Sequence, residues 1–93
     1  MTDISAIEVT ITGRVQGVFF RAETRNAAIS RDICGYVKNM ADGTVQAVFQ
    51  GSADQLTRML AWCETGAPLS RVDKVDSRPI PYQSDLVDFQ IRY

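Results

Sequence analysis

Histidine is absent from the 93 residues, and with it go the commonest general base near neutral pH and the commonest metal ligand. Cysteine occurs only as Cys34 and Cys63. Two are too few for a disulfide scaffold and lie far from a C-x-x-C spacing, so both read as small core hydrophobes. Charge is nearly balanced, with 10 Lys and Arg against 11 Asp and Glu and a formal net charge of −1. No global positive field recruits nucleic acid, and any recognition of an anion has to be local. No apolar run approaches the roughly 20 residues of a membrane span. Met1-Thr2-Asp3-Ile4 lacks the charged-then-apolar order of a signal peptide. The expectation is a cytoplasmic protein with neither a membrane nor a nucleic-acid partner. Repeats, low-complexity stretches and linkers are missing too. A chain this short is expected to form a single domain over 1–93 that buries roughly 60–65 % of its unfolded surface.

What is present is alternation and punctuation. Residues 6–12 alternate apolar and polar as a half-buried strand does. A helical pattern runs from about Phe20 to Ser30, with Phe20, Thr24, Ala27 and Ala28 on one side. Gly35-Tyr36-Val37 opens a second strand, and Asp42-Gly43 marks a hairpin turn because both residues tolerate positive φ. Thr44 to Gln50 makes a third strand, stopped by Gly51. Ser52 with Gln55 reads as a capping box. The helix behind it places Ala53, Leu56, Leu60 and Cys63 on one stripe with Met59 beside it, until Gly66 and Pro68 end it. Val72 to Ile80 gives a fourth strand, interrupted by Pro79 and Pro81, and Phe89, Ile91 and Tyr93 alternate as a short last one. The order is β-α-β-β-α-β plus a C-terminal strand. This predicts an α+β, ferredoxin-like split βαβ sandwich, with an antiparallel sheet and both helices on one face. The first two strands then run parallel, so Asn39 at the end of the second and the segment leading to Arg21 share one edge of the sheet.

That segment, Gly13-Arg14-Val15-Gln16-Gly17-Val18-Phe19-Phe20-Arg21, carries the chemistry. Two glycines four apart allow a tight turn that exposes backbone N–H groups. The loop runs into a helix start, where further N–H groups are unpaired and the dipole favours an anion. No Ser, Thr, Asp or Asn lies between Val15 and Arg21 to cap that start. A cation in a first helical turn opposes the dipole, and an anion bound between them would remove the conflict. By residue type alone two readings stand: a structural turn, or a cradle for a phosphate-like dianion. It is not a nucleotide loop of the G-x-x-x-x-G-K-[ST] kind, since lysine and hydroxyl are missing. Asn39 reads equally as a turn residue ahead of Asp42-Gly43, and Arg14 and Lys38 as solvated charges or as local positive field.

The run Gly13 to Arg21 also resembles the signature of acylphosphatases, small enzymes that hydrolyse the mixed anhydride of a carboxylic acid and phosphate. A second motif similar to that family's follows at Gly35-Tyr36-Val37-Lys38-Asn39, with Gly43-Thr44-Val45 and Gly51 after it. The segments Ser70-Arg71-Val72-Asp73-Lys74-Val75 and Asp88-Phe89-Gln90-Ile91-Arg92-Tyr93 extend the likeness over nearly the whole chain. The resemblance implies a hydrolase without cofactor or metal. The phosphate would be held by the loop amides of Arg14, Val15, Gln16, Gly17 and Val18 and by Arg21, and Asn39 would orient the attacking water. It implies a small acyl phosphate as substrate, inorganic phosphate or sulfate as competing anion, and a monomer. No covalent nucleophile is evident, and neither cysteine is assigned that role. Two departures stand out. Met40 follows Asn39 where many relatives carry a hydroxyl residue, and Asp32-Ile33-Cys34 replaces a Leu-rich lead-in. The alternative is a non-catalytic module of the same topology that binds small anions or RNA. RNA binding would need aromatics on the two middle strands, and Glu8-Val9-Thr10-Ile11 and Val45-Gln46-Ala47-Val48-Phe49 hold no paired platform.

Overall fold

Strand β1 (Ser5–Arg14) buries Val9 and Ile11 on one face and turns Glu8, Thr10 and Thr12 to the other, the period of two that builds one half of a sandwich. The computed structural model describes residues 3–93. It continues with α1 (Phe20–Ser30), β2 (Cys34–Asn39), β3 (Val45–Gly51), α2 (Ala53–Thr65), β4 (Arg71–Ile80) and β5 (Phe89–Arg92). The sheet order is β4-β1-β3-β2-β5. Central β3 pairs antiparallel with both β1 and β2, and its Val45, Ala47 and Phe49 lie opposite Ile11, Val9 and Ile7. Both helices pack on the face those residues share, over a core that includes Val37, Ala28, Met59 and Cys63.

The predicted elements all form, with informative differences. The first is the C-terminal strand. β5 pairs parallel with β2, Gly35 opposite Phe89 and Val37 opposite Ile91, so the four antiparallel strands become part of a mixed five-stranded sheet. The Phe89 ring stacks on Phe49 at 5.8 Å. Gly35 makes that approach possible: at its φ of 145° an added Cβ would collide with the Val48 carbonyl oxygen and crowd the Phe89 ring.

The second difference is the stripe of α2. Leu56, Met59 and Cys63 are buried, Leu60 is half-buried and Ala53 is exposed. The stripe centres on Met59, whose flexible thioether adapts to the irregular gap above the sheet; Ala53, beside the cap, stays in water. The cap is as expected, with Ser52 Oγ accepting from Gln55 N and Gln55 Oε1 accepting from Ser52 N. Pro79 belongs to β4 rather than breaking it. β4 pairs on one side only, so a missing N–H is tolerated there.

In the hairpin turn only Gly43 takes positive φ, at 92°. Asp42 contributes differently: its carboxylate accepts from the Thr44 hydroxyl at 2.7 Å and the Thr44 N–H at 3.0 Å. These bonds, the hydroxyl's first, hold the Asp42 carboxyl below its ordinary value.

The two cysteines separate cleanly. Cys63 is fully buried and Cys34 half-buried. Burial pushes the Cys63 thiol up to about 12, Arg31 and Glu64 adding opposed smaller effects. A thiol reagent at pH 8 should therefore label one cysteine of the folded protein, Cys34, and both only after unfolding. Because the folded pKa is the raised one, the stability linked to Cys63 is full below the unfolded thiol's pKa near 9. It declines as pH rises from there towards 12. Two equally fast labelling phases in the native protein would contradict this placement.

Candidate functional site

Because β1 and β2 flank β3 in the same direction, their C-terminal ends lie together, and parallel β5 ends there too. A cavity of about 320 Å³ opens at this edge. Val15, Gly17, Arg21 and Asn39 line it together with Phe19, Phe20, Ala22, Ile91 and Tyr93. Four of the seven site residues read from the sequence thus meet in one cavity. Arg14, Gln16 and Val18 do not line it.

The loop between β1 and α1 is anchored by its apolar members. Val15 and Val18 are buried, and Phe20 sits under α1 with its ring 5.7 Å from Trp62. Gly17, at φ 73°, makes the turn between the two valines with open space where a Cβ would be. Anchored this way, the loop keeps its amides out of the fold's own ladders. Among the described residues, the N–H groups of Val15 to Val18 donate to no backbone carbonyl or side chain. The residue that precedes α1, Phe19, supplies no side-chain cap. Unpaired amides at a helix start are the donor set an anion uses.

Phe19 was not singled out by sequence pattern. It adopts left-handed backbone, φ 61° and ψ 21°, and the residue is 76 % exposed. That conformation in an aromatic residue costs about 1–3 kcal/mol, and burial of the ring returns almost nothing.

Arg21 is half-buried and forms no ion pair among the described residues. Its guanidinium lies 4.9 Å from the centre of the Tyr93 ring, a cation–π distance that orients the fork without consuming its hydrogen bonds. Across the cavity, Asn39 Oδ1 is the one buried side-chain polar atom without a hydrogen-bond partner among the described residues. Leaving a buried acceptor unpaired costs about 1–3 kcal/mol. Such orphans in native folds are rare and point to a functional demand.

Gln16 has a side-chain role that the sequence did not reveal. Its Nε2 donates to the carbonyls of Met40 at 2.8 Å and Thr44 at 2.9 Å, tying the loop to the hairpin that carries Asn39. Any contact of Gln16 with an anion falls to its backbone N–H. Met40, which offers no hydroxyl beside Asn39, instead contributes that backbone carbonyl. Arg14 is exposed at the end of β1 opposite Arg71. Lys38 points away, sharing the open face with Gln46. That open face of β1 and β3 carries Glu8, Thr10, Gln46 and Val48 and no aromatic. The neighbouring Tyr36 is covered by the Arg92 guanidinium at 3.8 Å, so a base-stacking platform is lacking.

The Gln16 bridge has a testable consequence. Gln16→Ala removes two hydrogen bonds, although the Met40 and Thr44 carbonyls keep the backbone donors Gly43 N–H and Met40 N–H, and should lower stability by about 0.5–1.5 kcal/mol for each bond lost. Gln16→Glu sets a carboxylate against the same oxygens and should cost more. Denaturant unfolding checks the order; a Glu variant as stable as wild type would rule the bridge out.

Comparison with known proteins follows the same outline. The acylphosphatase family model matches residues 7–91. An acylphosphatase of Syntrophobacter fumaroxidans is 47 % identical over 85 residues, covering 91 % of this chain and 88 % of its own. One from Natronomonas pharaonis is 48 % identical over 77 residues, covering 83 % and 84 %. The structure of an acylphosphatase from Coxiella burnetii superimposes with a TM-score of 0.92 at 36 % identity, over 97 % of this chain and 94 % of that one.

Proposed function

The chain belongs to the acylphosphatase family, and from that membership and the geometry of its cavity we propose that it hydrolyses small acyl phosphates to a carboxylate and inorganic phosphate, without metal or organic cofactor. The observation that carries the residue assignment is the meeting, in one cavity, of an unpaired guanidinium, a loop with unpaired amides and an unpaired asparagine amide. The loop amides of Arg14, Val15, Gln16, Gly17 and Val18 and the fork of Arg21 hold the phosphoryl oxygens. Asn39 orients a water in line with the P–O bond to the acyl group.

Water oxygen forms the new bond to phosphorus as that P–O bond breaks. The bonding pair leaves on the carboxylate, and the water's proton passes to an oxygen of the substrate's own phosphate. A carboxylate is a good leaving group, so the protein's part is positioning and charge stabilisation. This is work that a histidine-free chain can do. Among the described residues no helix is long and apolar enough to cross a membrane. The proposed acting species is a monomer working on a dissolved substrate in the cytoplasm; gel filtration at the single-chain position checks the monomer.

The division of labour is tested by paired variants. Arg21→Ala should lower turnover of an acyl phosphate on the order of 10³–10⁵-fold and weaken inhibition by inorganic phosphate. Arg21→Lys keeps the charge but not the fork and should not restore activity. Asn39→Ala should lower kcat strongly while phosphate inhibition changes little. Near-normal turnover by Arg21→Ala would overturn the assignment. So would activity abolished by EDTA and restored by zinc or magnesium.

The anion cradle is tested without substrate. Phosphate at 100 times its dissociation constant should stabilise the fold by about 2.7 kcal/mol, a rise in Tm on the order of 10–20 °C for a domain of this length. Arg21→Ala in the same buffer measures the general salt effect. Equal shifts in the two proteins would make the loop a structural turn.

A further inference from the structure

We propose that the outer part of the cavity is an acyl subsite for short apolar acyl groups, with Phe19 and Ile91 as its specificity-determining side chains. The proposal rests on the acyl phosphatase reading above and names the class of acyl group that it takes.

Three observations carry it. The first is room. At about 30 Å³ for each water-sized group, the oxygens of a phosphate fill less than half of the roughly 320 Å³ cavity. The remainder is large enough for an acyl chain of a few carbons.

The second is the chemistry of the lining. Arg21 is the sole charged residue among the nine that line the cavity, and the phosphate engages it. Away from the loop amides, Arg21 and Asn39, the walls are Phe19, Phe20, Ala22, Ile91 and Tyr93. Arg71, at the same end of the sheet, is bound by its fork to Asp73 at 3.0 Å, and Lys38 faces the other side of the sheet. A leaving acid bearing a second negative charge therefore meets no lining cation of its own, whereas an alkyl group meets hydrocarbon.

The third is Phe19 itself. Its backbone sits in the left-handed region, where glycine or asparagine is at ease and an aromatic residue is not. The residue is 76 % exposed. Neither backbone conformation nor burial accounts for a phenylalanine there. An exposed ring held at the mouth of a cavity beside the phosphate cradle does gain a partner when an apolar acyl group enters. Strain at a functional site is informative in this direction, from an observed outlier to a role. Ile91, half-buried on β5, lines the same cavity.

The test is the kcat/KM series for acetyl, propionyl and butyryl phosphate, with succinyl phosphate as the charged comparison. The three alkyl acids are nearly equal as leaving groups, so a trend reports contact with the chain rather than intrinsic lability. Wild type should gain roughly three- to fourfold per methylene, about tenfold from acetyl to butyryl, and succinyl phosphate should fall well below butyryl. Phe19→Gly, which also removes the backbone strain, should flatten the series to less than about threefold. Ile91→Thr keeps the strand and should flatten it in the same direction, so the result does not depend on one variant's folding. A level or falling series in an active wild-type enzyme, or succinyl phosphate turned over as well as butyryl, overturns the acyl subsite and leaves the hydrolase assignment standing. Folded wild type that turns over no member of the series overturns the hydrolase assignment, and the subsite with it.

Discussion

Everything at the site depends on β3 running antiparallel to both of its neighbours. That single pairing makes β1 and β2 parallel although they never touch, and so brings their C-terminal ends to one edge. The loop that follows β1 and the asparagine that ends β2 face a common cavity for this reason alone. β5 joins the other side of β2 in the parallel sense and delivers Ile91 and Tyr93 to the same edge. A sheet whose first two strands were adjacent and antiparallel would put Arg21 and Asn39 at opposite ends.

The core then determines how much unsatisfied chemistry the edge can carry. Val15, Val18 and Phe20 are buried, and the Phe20 ring meets Trp62 on the second helix. These anchors hold the intervening backbone so that the N–H groups of Val15 to Val18 meet no acceptor among the described residues, while the Phe19 carbonyl accepts from Glu23 N–H at 3.0 Å. Around them the fold tolerates unpaired loop amides, a left-handed phenylalanine and a buried amide oxygen with no donor. The left-handed phenylalanine and the buried oxygen each cost on the order of 1 kcal/mol or more. Domains of this size have only about 5–15 kcal/mol of net stability, so two such costs in one place are a substantial fraction. Their concentration at a single cavity is what separates a preorganised site from an ordinary surface cleft.

The two halves of the site are coupled by one side chain. Gln16 reaches from the loop to two carbonyls of the β2–β3 hairpin, and the hairpin in turn is tightened by Asp42 holding Thr44. The distance between the phosphate-holding loop and Asn39 is therefore set by hydrogen bonds as well as by sheet register. In a reaction that depends on positioning, that distance matters more than any additional charge nearby. The exposed Arg14 guanidinium and the outward Lys38 ammonium contribute field at most.

Much of this was legible from residue order. Alternation in residues 6–12, the Ser52–Gln55 cap, the buried side of α1 and the glycine-punctuated run ending at Arg21 are local patterns, and backbone sterics and hydrogen-bond valence act locally. The absence of any capping side chain before Arg21 was likewise readable, and Phe19 indeed gives no cap. Composition decided that no histidine takes part. What the sequence could not show was contact between distant residues. The parallel docking of β5, the Tyr93 ring over Arg21, the Gln16 bridge and the orphaned Asn39 oxygen each join segments more than twenty residues apart or depend on what fails to approach. The left-handed turn at Phe19 is short-range in chain but not in cause. It lies between buried Val18 and buried Phe20, whose packing is decided in three dimensions. Local periodicity thus determined which elements form, and only tertiary packing decided which of their polar groups were left unpaired, because satisfaction of a donor or acceptor is a property of its surroundings in space.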